Sequence, residues 1–140
     1  METGSKIHNN SVNIIDIDKM DGLLFKKFLT ELFKNMGYKV EQTQQSYDQG
    51  ADLIIKKIDI RTAVQAKCYS NVVGNKAIQE VVAAKKYYNC VNAMVVTNNY
   101  FTKSANDLAK SNNVELWDRE VLEKYLLEYP TSLSQAGSGF

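Results

Sequence analysis

Two short apolar runs, four residues apart, constrain the fold of this chain more than any other feature. They are ADLIIK at 51–56 and RTAVQAKC at 61–68, and KIDI lies between them. Apolar runs of about four to eight residues, rich in β-branched side chains, are typical of buried strands. Because so short a connection joins only antiparallel neighbours, the two runs predict a β-hairpin.

A helical pattern precedes the hairpin. Asp18 is expected to cap a helix that runs to Met36, with Gly37 as its C-terminal stop. Apolar residues recur within it at helical spacing and form a predicted buried stripe. The stripe consists of Phe25, Phe28, Leu29, Leu32 and Met36. The following segment 38–44, YKVEQTQ, alternates like a strand and leads towards the hairpin.

Helices and strands alternate after the hairpin. The predicted elements are a helix at 75–89, a buried strand at 91–98, a helix capped by Thr102, a strand at 114–117 and a helix capped by Asp118. The predicted order is therefore α-β-β-β-α-β-α-β-α. An antiparallel meander followed by β-α alternation predicts an α/β fold, with a central mixed β-sheet flanked by helices.

The 140 residues suffice for one domain with a sizeable core. We expect this domain to span 13–129, with flexible polar tails at 1–12 and 130–140. No apolar run reaches the ~20 residues of a membrane span, and METGSKIHNN lacks the apolar core of a secretory signal. The sequence therefore predicts a cytoplasmic protein without a membrane partner.

Histidine and cysteine are too scarce for several common kinds of site. Cys68 and Cys90 are the two cysteines and lack C-x-x-C spacing, and His8 is the single histidine. A zinc site, a disulfide framework and a Ser-His-Asp triad are therefore not expected. Any catalysis has to rest on carboxylates, amides, lysines or a metal held by oxygen atoms.

Charge is balanced over the whole chain but not along it. The formal net charge is +1, whereas residues 61–87 carry five basic side chains against Glu80 alone, a local balance of +4. The region of the last predicted helix is acidic. This distribution is consistent with a basic face suited to nucleic acid, and also with lysines scattered over a solvated surface.

Three polar residues lie at the ends of the hairpin strands. Gln65 and Lys67 are two residues apart, so both side chains point to one face. If Lys56 pairs with Arg61, Asp52 lies opposite Gln65 and the three side chains converge. A carboxylate, an amide oxygen and an amine suit attack of water on a phosphodiester assisted by Mg²⁺ or Mn²⁺. Spacing alone favours the simpler alternative, in which Asp52 caps a turn and Gln65 and Lys67 end a strand.

Four segments, taken in order, carry a resemblance to a known family. They are LLFKKFLTELFKNMGYKV, SYDQGADLII with its D-x-G-x-D-L pattern, AVQAKCYSNVVGNKAIQEV with its Q-x-K strand, and AMVVTNNYFTKSANDLA with T-N and F-T-x-x-A elements. Together they resemble the Mrr-like catalytic domain of type IV restriction endonucleases, within the PD-(D/E)xK nuclease superfamily. The resemblance runs from about Gly22 to Leu126. It implies a restriction-endonuclease-like fold and a DNA endonuclease that depends on Mg²⁺ or Mn²⁺.

The resemblance also implies roles for individual residues. Asp52 is the expected metal-binding acid, Gln65 stands where most of the superfamily has a glutamate, and Lys67 is the expected catalytic lysine. The backbone carbonyl of Ala66 is a further expected metal ligand. Asp48 matches the first acid of the D-x-G-x-D segment, where it is either a metal ligand or a turn residue.

DNA contacts are implied for Ser70, Lys76 and Gln79, where the loop and helix of the family approach substrate. Lys76 lies near a predicted helix N-terminus, which suits contact with a phosphate. The alternative for all three residues is a solvated helix start. Because a single site cuts one strand, a homodimer is expected. A specificity domain or partner subunit is expected to be supplied elsewhere.

One position departs from the family pattern. A glutamate is expected after Phe25, and this chain has Lys26 there. Glu31 is no obvious substitute, since five residues rotate it about 140° around the helix. This departure suggests one alternative, a DNA-binding module that does not cleave. Two further alternatives are a structure-specific nuclease such as a Holliday-junction resolvase and a subunit of a larger defence or repair complex.

Overall fold

The computed structural model describes residues 11–43 and 50–133. Within these ranges the helices are α1 (Ile14–Asp18), α2 (Gly22–Asn35), α3 (Asn75–Tyr87), α4 (Lys103–Ser111) and α5 (Arg119–Glu128). The strands are β1 (Lys39–Gln42), β2 (Leu53–Lys57), β3 (Ile60–Lys67), β4 (Asn92–Thr97) and β5 (Val114–Trp117). None of these helices is long and apolar enough to cross a membrane. Asp48 and most of the predicted tails lie outside the described residues.

The strands of the described ranges form one sheet in the order β1-β2-β3-β4-β5. β1, β2 and β3 are antiparallel neighbours, whereas β3, β4 and β5 run parallel. Parallel neighbours need crossover connections, which α3 and α4 supply. The predicted α/β fold with a mixed sheet flanked by helices is confirmed. The short helix α1 is an addition to the predicted order.

The hairpin has the register that the sequence predicts. Lys56 pairs with Arg61, but the connecting turn is tighter than KIDI because Lys57 and Ile60 still pair. Only Ile58 and Asp59 connect the strands, with φ of 50° and 65°. Two-residue turns with positive φ match the right-handed twist of the flanking strands. The register fixes which side chains of β2 and β3 share a face.

Two apolar layers lie on opposite faces of the sheet. The first contains residues of α2 and α5 together with Leu53, Val64 and Val96. The second contains residues of α3 and α4 together with Ile54, Ala63 and Val95. Because side chains alternate along β3, Gln65 and Lys67 share the face of Ala63. These two polar residues therefore point to the side of the sheet that α3 covers.

The prediction that Asp18 caps the long N-terminal helix is wrong. Asp21 is the N-cap of α2, since its side chain accepts a hydrogen bond from the N–H of Leu24 at 2.8 Å. Asp18 is instead the last residue of α1, whose own capping box joins Asn13 and Asp16. Both aspartates precede the apolar stripe closely enough to serve as caps. Asn13 caps the additional helix α1, so Asp18 lies at the end of that helix rather than at the start of α2.

The other two predicted caps are confirmed. Thr102 accepts a hydrogen bond from the N–H of Ala105 at 3.0 Å, and Asp118 accepts one from Val121 at 3.0 Å. These caps start α4 and α5 just beyond the carboxyl ends of β4 and β5. The same edge of the sheet holds the end of β3.

Candidate active site

Asp52 lies just before the first residue of β2. Its backbone N–H donates to the carbonyl of Val64 at 2.8 Å, which extends the hairpin ladder by one residue. Its carboxylate Oδ2 accepts a hydrogen bond from the N–H of Ala66 at 2.7 Å. Gln65 and Lys67 flank Ala66 in the chain. The bond from Ala66 therefore holds the carboxylate of Asp52 at the same end of β3 as Gln65 and Lys67.

Gln65 is buried, with an exposed fraction of 4%. Its amide Nε2 donates a hydrogen bond to Oε1 of Glu80 at 3.0 Å. Its Oε1 is buried and has no hydrogen-bond partner among the described residues. An unsatisfied buried acceptor costs about 1–3 kcal/mol, so native structures usually give such an atom a water or ion. The amide oxygen of Gln65 is therefore suited to hold a cation.

Glu80 reaches the same cluster from α3. Its Oε1 lies 3.7 Å from Nζ of Lys67, and its Oε2 lies 3.9 Å from Nζ of Lys76. The Lys67 and Glu80 side chains are 23% and 25% exposed, so this ion pair is partly shielded from solvent. The structure thus places a second carboxylate, that of Glu80, against Gln65 and Lys67.

The sequence analysis missed Glu80 as a site residue and counted it only as a charge. A usable signal was present, because Glu80 lies three residues after Ala77 and four before Ala84, and both alanines are buried. Residues at these intervals share one face of a helix. A charged residue on the buried stripe of a helix facing a Q-x-K strand is a candidate site residue.

Gly50 brings the segment before β2 against α3. Its φ is +83°, a conformation that side-chain-bearing residues rarely adopt, and an added Cβ would collide with the backbone carbonyl of Glu80. Glycine satisfies both requirements because it has no Cβ. This contact explains the glycine of the D-x-G-x-D segment and lies beside the Glu80 backbone.

The oxygen donors of the cluster fit a hard divalent cation. Asp52 offers a carboxylate and Gln65 an amide oxygen without a hydrogen-bond partner among the described residues. Such oxygens suit Mg²⁺ and Mn²⁺, and Mg²⁺ usually retains several waters. Residues 11–43 and 50–133 contain no group of three or more His, Cys, Asp or Glu residues that could hold a metal ion. A cation at this cluster would therefore rely on amide, backbone and water oxygens as well as carboxylate.

Lys26, which stands where a glutamate was expected, belongs to the opposite layer. It is a residue of α2 with an exposed fraction of 6%. α2 packs on the face of Leu53 and Val64, whereas Gln65 points towards α3. The second carboxylate near Gln65 and Lys67 thus comes from α3 rather than from α2.

The three residues with predicted DNA contacts are exposed. Ser70 lies in the loop between β3 and α3, and Lys76 and Gln79 lie three residues apart on α3. The Lys76 side chain is 87% exposed. Gly74 is the N-cap of α3 and provides no side-chain hydrogen bond, so the first N–H groups of the helix lack a side-chain cap. All three are accessible, and Lys76 lies beside the cluster through its ion pair with Glu80.

A second polar network lies at the carboxyl ends of β3, β4 and β5. Arg119 donates to both carboxylate oxygens of Asp18, at 2.8 and 2.9 Å, and these bonds lower the pKa of Asp18. Asn98 donates to Asp18 at 2.9 Å and accepts from the backbone N–H of Tyr69 at 2.8 Å. Because Tyr69 follows Lys67 by two residues, the network ties the end of β3 to α1 and α5.

The mixed sheet and its helices define a restriction-endonuclease-like domain. The chain belongs to the Mrr_cat family, described as restriction endonuclease, whose model matches residues 17–126. This match confirms the family that the sequence resembles. No protein with a curated description matches the chain.

Three solved structures share the fold. The DNA modification-dependent restriction endonuclease AspBHI has a TM-score of 0.65 and 20% identity, covering 82% of this chain and 34% of that one. The MspJI restriction endonuclease, in complex with a 27-mer oligonucleotide, has a TM-score of 0.52 and 21% identity, covering 74% and 26%. A protein of unknown function, AF1548, has a TM-score of 0.62 and 16% identity, covering 80% and 65%. This chain therefore spans less than two thirds of each of these relatives.

Proposed function

We propose that this domain is a DNA endonuclease that depends on Mg²⁺ or Mn²⁺. The observation that carries the proposal is the convergence of Asp52, Gln65 and Lys67, with the buried Gln65 Oε1 lacking a hydrogen-bond partner among the described residues. Membership of the restriction endonuclease family supports phosphodiester hydrolysis as the reaction. Because the chain spans only part of its structural relatives, the substrate of the whole protein is part of this proposal.

Each residue of the cluster has a distinct proposed task. Asp52 and Gln65 hold the cation through oxygen atoms, with the carbonyl of Ala66 and the Asp48 carboxylate as further candidate ligands. Lys67 orients the attacking water and donates to the charged phosphate. Glu80 acts on Gln65 and Lys67, which it contacts directly. It accepts a hydrogen bond from the Gln65 amide nitrogen, which leaves the amide oxygen for the cation.

The divalent cation, when bound, lowers the pKa of water and stabilises negative charge on the phosphate. Ser70, Lys76 and Gln79 are proposed to contact the DNA on the accessible edge beside Lys67. Lys76 contributes a positive charge near the N-terminus of α3, where the helix dipole also favours phosphate. A single cluster cuts one strand, so we propose that double-strand cleavage requires a homodimer. A separate domain or partner would supply sequence or modification specificity.

Nicking of supercoiled plasmid in Mg²⁺, Mn²⁺ or EDTA tests the proposal. The variant Lys67→Ala is expected to lose at least about a hundredfold in rate, since positioned proton-transfer and charge-stabilising groups contribute that much or more. Lys110→Ala is the matched control, because Lys110 is an exposed lysine in the last turn of α4. Metal-dependent nicking at the wild-type rate in Lys67→Ala would contradict the assignment of Lys67 as a catalytic residue.

The position of Lys26 favours one alternative, a DNA-binding module that does not cleave. Its burial in α2 leaves Asp52 and Glu80 as the carboxylates of the described cluster. Such a module would bind DNA with an affinity that falls steeply with salt, and would show no metal-dependent turnover.

Comparison of linear with branched DNA would distinguish a restriction-type nuclease from a structure-specific one.

A further inference from the structure

A polar pocket of about 590 Å³ opens beside the candidate active site. It lies where β3, β4 and β5 end, and its wall includes Cys68, Tyr69, Ser70, Asn98, Asn99 and Arg119. Ligands of open α/β sheets commonly bind in crevices outside the carboxyl ends of parallel strands. The volume also falls within the range of about 300–1,000 Å³ for small-ligand pockets. We call this space the edge pocket.

The wall of the edge pocket is held in place by hydrogen bonds between its loops. Asn98 accepts from the N–H of Tyr69 at 2.8 Å, and Asn99 donates to the carbonyl of Tyr69 at 3.3 Å. The backbone N–H of Arg119 donates to the carbonyl of Asn99 at 2.8 Å. The loops after β3, β4 and β5 are thereby joined to one another. A pocket built in this way is formed before any ligand arrives, which reduces the entropy lost on binding.

The chemistry of the wall suits a neutral ligand rather than a phosphate. The charges of Asp18 and Arg119 cancel in a two-bond ion pair, and the other lining residues are neutral. Arg119 uses three of its five N–H donors on Asp18 and Asn98, which leaves two donors beyond these bonds. The pocket therefore combines hydrogen-bond donors and acceptors with no net charge.

Apolar and aromatic groups complete the wall. Tyr69 is an exposed residue, with a relative accessibility of 44%, and Met20 and Cys68 add soft sulfur groups. Flat rings stack favourably on tyrosine and contact sulfur well. A flat, uncharged heterocycle with donors and acceptors on its edge matches these features, and a nucleobase is such a group.

The edge pocket is close enough to Lys67 to receive a base from the strand being cut. Nζ of Lys67 lies 5.6 Å from the ring centroid of Tyr69. Ser70 follows Lys67 by three residues, which span at most ~11 Å of extended chain. One strand of DNA advances ~3.4 Å per nucleotide. The pocket therefore lies within a few nucleotides of a phosphate held at Lys67.

We propose that the edge pocket binds one unstacked nucleobase of the DNA strand, near the phosphate that Lys67 contacts. This inference rests on the proposed nuclease function for its substrate. Taking a base out of the stack costs a few kcal/mol, and least where the base is mismatched or already unpaired. The domain should therefore prefer DNA with a mismatch over a fully paired duplex.

Fluorescence titration of the full chain in EDTA tests the proposal without cleavage. The probes are two duplexes that share one strand containing 2-aminopurine. They differ only in the opposing base, which either pairs with 2-aminopurine or forms a mismatch with it. Because a mismatched base costs less to unstack than a paired one, the mismatched duplex is expected to bind about tenfold tighter and to change its fluorescence. Ser70→Phe, which fills the pocket, and Tyr69→Ala, which removes the ring, should both abolish this preference.

Ser111→Phe is the matched control, because Ser111 is exposed at the end of α4, away from the pocket lining. Equal binding of both duplexes by the wild type, or an unchanged preference in both pocket variants, would overturn the proposal. In a separate competition experiment, free deoxynucleoside monophosphates are added to the bound duplex. Displacement of the duplex at micromolar concentration would contradict the proposal and indicate a site for free nucleotides. Plasmid nicking is scored separately. Nicking without a preference for the mismatch would contradict the nucleobase pocket and leave the nuclease proposal standing. A preference for the mismatch without nicking would contradict the nuclease proposal and leave the pocket standing.

Discussion

Glu80 of α3 accepts a hydrogen bond from the Gln65 amide of β3 at 3.0 Å. The same carboxylate oxygen lies 3.7 Å from Nζ of Lys67, so one atom contacts both polar side chains of the Q-x-K strand. Because the Gln65 N–H group faces Glu80, its amide oxygen is directed elsewhere and has no hydrogen-bond partner among the described residues. This pairing determines which atom of Gln65 would face a cation, if the proposed metal binds here.

Glu80→Gln tests that relationship. The substitution keeps the size of the side chain and removes its charge, so Lys67 loses its ion-pair partner and the Gln65 amide is free to rotate. Hydrogen bonds to charged groups are worth about 1.5–3 kcal/mol, which corresponds to a loss of at least about tenfold in nicking rate. Initial rates at saturating Mg²⁺ measure the effect. Glu128→Gln, at an exposed position in α5, is the control, and equal rates for the two variants would refute a positioning role for Glu80.

The variant Gln65→Glu tests whether a cation binds at this position. It places the new carboxylate in direct contact with that of Glu80. Like charges at about hydrogen-bond distance repel, unless one is protonated or a cation lies nearby. The variant is therefore expected to unfold at a lower temperature than the wild type in EDTA, and to gain more from added Mg²⁺. Thermal unfolding with and without Mg²⁺ measures both effects. If Mg²⁺ shifts wild type and variant equally, the cation does not bind at Gln65.

Much of the fold was predictable because local signals agreed. The hairpin register follows from alternation in two apolar runs, and it brings Asp52 to the end of β3 near Gln65. The caps Thr102 and Asp118 have the side chain and position that a helix start requires. The prediction about Asp18 failed because three acidic or amide residues, Asn13, Asp18 and Asp21, were available as caps, and spacing did not separate them.

The candidate site was only partly predictable. Motif spacing singled out Asp52, Gln65 and Lys67 as candidates, and the hairpin register brings all three to one end of the β2–β3 pair. Glu80 comes from a helix that crosses the sheet, and its contact with Gln65 depends on how far α3 slides along β3. Gly50 approaches the Glu80 backbone closely where α3 crosses the sheet, and neither residue predicts this approach alone.

Gly50→Ala is expected to destabilise the fold. The left-handed backbone disfavours a side chain, and the new Cβ would collide with the Glu80 carbonyl, so we expect a loss of about 2–4 kcal/mol in the free energy of unfolding. Urea unfolding measures it. Gly22→Ala is the matched control, since nothing lies within 4 Å of an added Cβ there and alanine favours helix. A Gly50→Ala protein as stable as Gly22→Ala would show that the close approach to α3 does not exist.

Asp18→Asn should lower stability in a way that depends on pH. The hydrogen bonds from Arg119 hold the pKa of Asp18 below its ordinary value of 3.8. A lowered folded-state pKa contributes stability that is present above the unfolded-state pKa and is lost as the pH falls through the folded-state pKa. Because both side chains are partly exposed, we expect a difference of no more than about 1 kcal/mol at neutral pH.

Urea unfolding at pH 7 and near pH 3 measures this dependence. The difference between wild type and Asp18→Asn should be largest at pH 7 and should shrink at the acidic pH, where the wild-type carboxylate takes up its proton. Asp107→Asn is the control, because Asp107 and its partner Lys103 are 68% and 90% exposed and such surface pairs contribute little. A pH-independent loss in Asp18→Asn would mean that the side chain stabilises the fold through its shape and neutral hydrogen bonds, rather than through its charge on Arg119.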